Sequence, residues 1–367
     1  MAFQIDFFDN IYIRNFYDEI IPKMNTYFRL HQDKELVFNF SDLYFMSPNV
    51  IPNILNIADI YKKYFNNTKK IRLNLSWNPD FLSYLSTINF FKYSHILDLF
   101  DFNEEMLGGF ETYSIEKNCR LIFSEKDSTE DEIKHKVESL MHTMIKFQEL
   151  EKDEIVINNV NEILGETLFH LIHNANEKDR GNSNAYGIFQ INNYSGKKYV
   201  YISISDGGIS ISPTIWNKLE KDEAYQFFVT KEQDPTYRYI LEALFWRKRM
   251  NIILQKNIEK QGYLPKGYKH GIYHVANYVL KNKGRIGIHS NDTYFLFTEK
   301  FYETFCHITN NINQERDKNP ESDMKNISNH IDMDLQASID NYTIQNTKTR
   351  KYRGVHIDIE IPLGEKE

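Results

Sequence analysis

The sequence has few cysteines and lacks the segments that mark secreted or membrane-embedded chains. Its two cysteines, Cys119 and Cys306, are too few for a disulfide framework, and no Cys/His spacing resembles a zinc site. The N-terminus has no basic segment followed by an apolar core, and no window of about eighteen residues is apolar and uncharged. We therefore expect no signal peptide and no transmembrane helix, and a cytoplasmic protein without a membrane partner.

An excess of positive charge is also absent. The net charge of −7 does not indicate a general nucleic-acid binder, although local basic patches are compatible with it. A hydrophobic fraction of 41% and a charged fraction of 26% are typical of globular proteins, and 367 residues predict two domains. No internal repeat is visible, and the one polar, low-complexity stretch covers residues 310–348.

The first domain, residues 1–112, alternates short β runs with helical patterns. The patterns predict strands at 3–8, 36–40 and 71–75, and helices at 13–30, after Pro48 and at 81–91. Strands that alternate with helices imply a small sheet covered on one face.

Two segments of this domain carry a family resemblance: residues 36–49 (LVFNFSDLYFMSPN) and residues 81–90 (FLSYLSTINF). They resemble a STAS-like domain, the fold of bacterial anti-sigma factor antagonists. In that family a serine at the start of the second helix can be phosphorylated, and Asn49 occupies the matching position here. The resemblance therefore implies a docking or dimerising module, with a homodimer or a protein partner contacted through this domain. A purely structural cap is the alternative.

In the second domain, residues 113–367, a predicted helix from Glu162 to Lys178 has a polar stripe. Glu162, Glu166, His170 and Asn174 recur every four residues, so they share one helical face. Such a stripe is ordinarily a solvated face.

The segment that follows this helix contains residues that suit the binding of a nucleotide. Two β-type runs, 186–191 and 198–205, lead into Asp206 and the sequence DGGISI. An aspartate in a glycine turn can accept the exocyclic amine of adenine, while an asparagine oxygen is a hard ligand that suits Mg²⁺. Further on, residues 266–275 (KGYKHGIYHV) open a helix, which offers free N–H groups to an anion. Strands at 284–290 and 352–363 follow.

These segments resemble, in order, the boxes of the GHKL ATPase superfamily, which has the Bergerat nucleotide-binding fold. LIHNA at 171–175 matches its N box, DGGISI at 206–211 its first glycine box, and KGYKHGIYHV at 266–275 its second. The resemblance implies ATP and Mg²⁺ as cofactors and assigns the site by position. It implies Asn174 for the metal, Asp206 for adenine, Gly208 and Ser210 for the first glycine box, and Gly267, Lys269 and Gly271 for the phosphates. Ser210 replaces the second glycine of that box.

The resemblance also implies the fold and leaves the reaction open. It implies an α+β chain whose second domain is a Bergerat-type sandwich, a mixed sheet with helices on one face, with a polar insertion near 305–350. Many hydrolysing members place a glutamate where this chain has His170, which can act as a general base when its pKa lies near 7. Glu166, one turn further back, is the more distant catalytic candidate.

The expected function is an ATPase that acts as a nucleotide-dependent switch in a bacterial regulatory or defence system, with slow hydrolysis. A non-hydrolysing interaction protein and an anti-sigma-type serine kinase are the alternatives.

Overall fold

The structure is a computed structural model that describes most of the chain in several ranges. These are residues 2–107, 119–124, 129, 131–132, 135–136, 138–139, 184–194, 197–221, 229, 233–245, 271–314, 337–338 and 344–363. The expected domain boundary at 112/113 lies outside them, as does the predicted helix at 162–178.

The N-terminal region contains six strands in two parallel arrangements. The strands are β1 (Phe3–Asp6), β2 (Asp9–Ile11), β3 (Leu36–Asn39), β4 (Leu43–Met46), β5 (Ile71–Asn74) and β6 (Phe100–Asp101). A four-stranded sheet has the order β1-β3-β5-β6, and β2 pairs with β4 separately. Parallel neighbours need crossover connections, and helical segments supply them here.

The helices of this region are α1 (Ile13–Asn15), a π-helical turn (Phe16–Ile20), α2 (Ile21–Leu30), α3 (Val50–Tyr64), α4 (Pro79–Thr87) and α5 (Phe90–Ile96). The predicted helix at 13–30 is confirmed in extent. The single helix predicted at 81–91 is instead two helices. Asn89 has φ 65°, in the left-handed region that ends regular helix and that asparagine tolerates better than most residues.

A second sheet has five strands: β7 (Cys119–Ser124), β8 (Ala185–Tyr194), β9 (Lys197–Asp206), β10 (Arg285–Phe297) and β11 (Ile344–Leu363). Its order is β10-β11-β9-β8-β7, and every pair among these strands is antiparallel. The sequence predicts a mixed sheet. In the described part of the chain, this sheet has only antiparallel pairs, and the parallel pairs occur in the N-terminal region. The two-residue link between β8 and β9 requires an antiparallel pair there.

Helices α6 (Ile211–Lys221), α7 (Gly271–Lys281) and α8 (Tyr302–Gln314) accompany this sheet, and residues 236–245 are also helical. Within the region 305–350, where the sequence predicts a polar insertion, α8 continues to Gln314 and β11 begins at Ile344. In the described ranges, no helix combines the length and apolar character that crossing a bilayer requires.

The two faces of the five-stranded sheet have different coverings. Ile202, Ile204, Ile357 and Ile359 face one apolar core, which α7, α8 and the 236–245 helix complete. The opposite face carries polar residues and the side chains of Tyr186, Ile188 and Tyr352, which join the apolar core of the N-terminal region. The second sheet therefore lies between its own helices and the N-terminal region.

Candidate functional site

The loop after β9 contains the predicted adenine-binding aspartate. Asp206 is the last residue of β9 and is 6% exposed. Its carboxylate oxygen Oδ1 accepts a hydrogen bond of 2.8 Å from the backbone N–H of Gly208. The side chain is thus oriented by the glycine turn that follows it, as the sequence predicts for this loop.

Strands β10 and β11 hold the same loop from one side. Gly354 in β11 has φ +94°, and a Cβ atom there would lie 1.8 Å from the carbonyl oxygen of Asp206. Ser290 in β10 accepts a 3.0 Å hydrogen bond from the N–H of Ile211 through its Oγ. Ser210 Oγ lies 3.5 Å from the carbonyl oxygen of Gly354, at the limit of a hydrogen bond. The loop is therefore fixed at both of its ends.

Helix α3 of the N-terminal region contacts the loop from the opposite face of the sheet. Asn56 Nδ2 donates to the carbonyl oxygen of Asp206 (2.8 Å), to Ser205 Oγ (3.1 Å) and to Tyr352 OH (2.6 Å). Ser205 Oγ donates in turn to Asn53 Oδ1 at 2.9 Å. All these polar groups are buried, so each hydrogen bond offsets a desolvation cost.

Gly207 allows this close approach of α3. A Cβ atom at Gly207 would lie 2.8 Å from Asn56 Oδ1 and 3.1 Å from Cγ1 of Ile60. A side chain at this position would push the helix away from the loop. The glycine that follows the aspartate thus serves a contact between the two regions of the chain.

A second polar cluster lies on the same face of the sheet, next to Ser205. It is formed where His356 and Asp358 of β11 pair with Ser205 and Ser203 of β9. His356 Nδ1 lies 2.6 Å from Tyr17 OH, and His356 Nε2 lies 2.9 Å from both Ser203 Oγ and Asp358 Oδ1. Because an ionised carboxylate only accepts, Nε2 donates to Asp358 and the Tyr17 hydroxyl donates to Nδ1. Burial, followed by the charge of Asp358, raises the pKa of Tyr17, so its phenol stays protonated.

This cluster contains the residue types of a serine hydrolase but not its geometry. In a nucleophilic triad the serine and the carboxylate occupy opposite nitrogens of the imidazole ring. Here Ser203 and Asp358 both lie against Nε2, and Ser203 and His356 are fully buried. The arrangement therefore serves as a polar contact between the sheet and the N-terminal region and does not expose a nucleophile.

Asn49, directly before α3, and Asp59, within it, extend the contact. Asn49 Nδ2 donates to Asp358 Oδ2 at 3.2 Å, which places the position that matches the STAS phosphoacceptor inside the molecule at 8% exposure. Asp59 accepts from Lys63 Nζ (2.7 Å) and Asn184 Nδ2 (3.2 Å). Burial raises the pKa of the Asp59 carboxyl, and the charge of Lys63 opposes that shift.

The predicted site residues fall into two groups. Asp206, Gly208 and Ser210 lie together in the loop after β9, and Gly271 begins α7, which packs against β10 and β11. The others lie outside the described residues: Glu166, His170, Asn174, Gly267 and Lys269. Across the ranges that the structure describes, no group of three or more His, Cys, Asp or Glu side chains could hold a metal ion.

The contribution of α3 to this site was not predicted from the sequence. Asn53, Asn56 and Asp59 of α3, with Asn49 directly before the helix, recur every three or four residues and form one stripe. The density of asparagine on that stripe is the signal that was available, because a solvated helical face is more often lined by charged residues.

Comparisons with known proteins identify no relative of this chain. No protein-family model matches the sequence, and no curated protein and no solved structure matches it.

Proposed function

We propose that this chain binds an adenine nucleotide with Mg²⁺ at the loop after β9 and acts as a nucleotide-dependent switch. The observation that carries the proposal is the placement of Asp206. Its carboxylate is buried at the end of a strand and is held by the N–H of Gly208. A buried carboxylate is costly unless it has a hydrogen-bonding role, and functional sites are where such groups concentrate.

The chemistry of the loop suits adenine. A carboxylate only accepts hydrogen bonds, and the exocyclic amine of adenine donates them. The order of segments along the chain supports the same ligand, since the predicted N box precedes the loop and α7 begins at Gly271 after it. Asn174 is proposed as the Mg²⁺ ligand, and Lys269 with Gly267 and Gly271 as phosphate contacts.

Calorimetric titration of the full chain with ATP and with ADP, each with Mg²⁺, tests this proposal. We expect saturable binding by the wild type. Asp206→Asn should weaken it by about tenfold or more, because an amide group offers a donor where the carboxylate offered a second acceptor. Asp101→Asn, which changes an exposed carboxylate of β6, is the matched control and should bind as the wild type does. A folded wild-type protein that binds neither nucleotide would refute the proposal.

Hydrolysis is a separate proposal, with His170 as the general base and Glu166 as the more distant candidate. Phosphate release should be slow in the wild type and absent in Asn174→Ala, which would lose the proposed metal ligand. Nucleotide binding without phosphate release would identify the non-hydrolysing alternative. The self-phosphorylating form of the serine-kinase alternative has a structural argument against it, since Asn49 has no hydroxyl group and is buried against Asp358.

A further inference from the structure

One residue that contacts the predicted nucleotide loop belongs to the N-terminal region of the chain. Asn56 is in the middle of α3, about 150 positions before Asp206, and donates to its carbonyl oxygen at 2.8 Å. The carboxylate of Asp206 and this carbonyl group belong to the same residue. The carboxylate carbon and the carbonyl carbon are only three bonds apart, so a hydrogen bond that fixes the carbonyl group also restricts the orientation of the carboxylate.

The hydrogen bonds fix two consecutive peptide units, one on each side of Gly207. Asn56 holds the carbonyl oxygen of Asp206, which is part of the peptide that leads to Gly207. The N–H of Gly208, at the following peptide, holds Oδ1 of the same aspartate. If the amide of Asn56 is removed, the carbonyl oxygen is left buried beneath α3 and the peptide rotates or admits water to satisfy it. That rotation moves the N–H of Gly208 and with it the carboxylate.

The side chain of Asn56 is held in this position by contacts with β9 and β11. Its side chain is fully buried, and its amide hydrogens are also shared with Ser205 Oγ and Tyr352 OH. Gly207 leaves room for it, because a Cβ atom there would lie 2.8 Å from Asn56 Oδ1. An amide group whose two N–H hydrogens are shared among acceptors on β9 and β11 has little rotational freedom, which suits a group that orients another.

We propose that Asn56 is a positioning residue for Asp206, so that the N-terminal region sets the adenine selectivity of the nucleotide site. This inference rests on the proposed function. The N-terminal region would then form part of the nucleotide site. It lies on the face of the sheet opposite to α7 and would act on Asp206 through the backbone of β9. A displacement of α3 by a partner would change which base the loop accepts.

Base discrimination is the quantity that separates positioning from stability. ATP offers an amine to Asp206, whereas ITP places a carbonyl oxygen at the same position and leaves the carboxylate facing an acceptor. We expect the wild type to bind ATP about tenfold or more tightly than ITP, both with Mg²⁺. Asn56→Ala should lower this ratio by about threefold or more, because the carboxylate is no longer held in the orientation that favours the amine.

Asn53→Ala is the matched control. Asn53 is on the same helix and is equally buried. It accepts from Ser205 Oγ and donates to the carbonyl oxygen of Asn49, and neither of these hydrogen bonds involves Asp206. It should lose stability and keep the wild-type ratio of ATP to ITP affinity. A merely structural role for Asn56 predicts that the two variants lose stability and share an unchanged ratio.

A second variant covers the case in which Asn56→Ala does not fold. Gly207→Ala inserts a methyl group between the loop and α3, against Asn56 Oδ1 and Ile60, and should lower the ratio in the same direction. The inference is overturned if folded Asn56→Ala, or Gly207→Ala in its place, keeps the wild-type ratio, or if the wild type binds ATP and ITP equally. If the wild type binds no nucleotide, the proposed function fails and this inference fails with it. If instead the wild type binds ATP more tightly than ITP and the Asn56 variant keeps that ratio, only this inference fails and the proposed function stands.

Discussion

At the scale of single residues, His289 of β10 contacts the N-terminal region. Its ring stacks on that of Tyr17 with centroids 4.0 Å apart, and its Nε2 lies 2.8 Å from Thr349 Oγ1. Its Nδ1 is buried without a hydrogen-bond partner among the described residues. Burial lowers the pKa of His289, and the neighbouring His356 lowers it further. The ring is therefore neutral in the folded protein.

This neutral histidine predicts that stability falls in mild acid. The unfolded chain binds a proton at His289 below about pH 6.5, whereas the folded chain does not, so protons favour unfolding. The free energy of unfolding should decrease by up to about 1.4 kcal/mol per pH unit below that value, relative to His289→Gln. Urea unfolding of both proteins between pH 5 and pH 7.5 measures the difference, with exposed His95→Gln as a control. A difference that does not change over this range would contradict the prediction.

At the same scale, the sequence predicted some residues of the loop and none of its partners. The position of Asp206 before a glycine turn follows from local chemistry, since the strand pattern and the glycines are adjacent in sequence. The donor that holds its carbonyl oxygen is at Asn56, about 150 positions earlier, and the strand that presses against it contains Gly354. Nothing local to either residue specifies such a contact, because it arises only when the sheet and α3 are assembled.

Helix α3 shows the same limit for a whole element. A helix after Pro48 was predicted from the sequence, and 11 of its 15 residues are buried, including Asn53, Asn56 and Asp59. A polar stripe ordinarily predicts solvent. It fails here because the opposite face of the sheet is itself polar: Ser203, Ser205, His356 and Asp358 alternate with isoleucines along β9 and β11. Two polar surfaces can be buried against each other where their groups form hydrogen bonds across the contact, as Asn53 and Asn56 do with Ser205. Oδ1 of Asn56 has no hydrogen-bond partner among the described residues.

Strand β11 has an irregularity at Gly354 that predicts a strong effect of substitution. The pairing register with β10 shifts between Ser290 and Asn291, opposite Val355 and Tyr352, and Gly354 lies within that shift with φ +94°. Gly354→Ala would meet both an unfavourable backbone conformation and the carbonyl oxygen of Asp206, so we expect a loss of about 2–4 kcal/mol in the free energy of unfolding.

Chemical denaturation of Gly354→Ala beside Arg353→Ala checks that expectation. Arg353 is the preceding, exposed residue of the same strand and should change stability by less than about 0.5 kcal/mol. Equal stability of the two variants would mean that the close approach of β11 to Asp206 does not exist in solution.

For the whole molecule, the contact between the N-terminal region and the five-stranded sheet was not predictable from the sequence. The length of the chain predicts two domains, and the expected boundary at 112/113 lies outside the described residues. Within the described residues, the parallel pairs occur in the two N-terminal sheets and the antiparallel pairs in the five-stranded sheet. The apolar core of the first region nevertheless continues through Tyr186, Ile188 and Tyr352 of the second. Each of these residues belongs to a strand whose other face packs against a different core, so neither region can lose its structure without exposing part of the other.

This shared core predicts one cooperative unfolding transition for a chain whose length ordinarily gives several. Ile54→Ala on α3 creates a cavity on one face of the five-stranded sheet, and Val279→Ala on α7 creates one on the other face; both side chains are fully buried. In differential scanning calorimetry, each variant should lower the midpoint of the same single peak, with the calorimetric and van't Hoff enthalpies in agreement. If the regions were independent, two peaks would be resolved and each substitution would move only its own. The single peak is expected because the polar contacts of Asn56 and the apolar contacts of Tyr352 are lost together when α3 leaves the sheet.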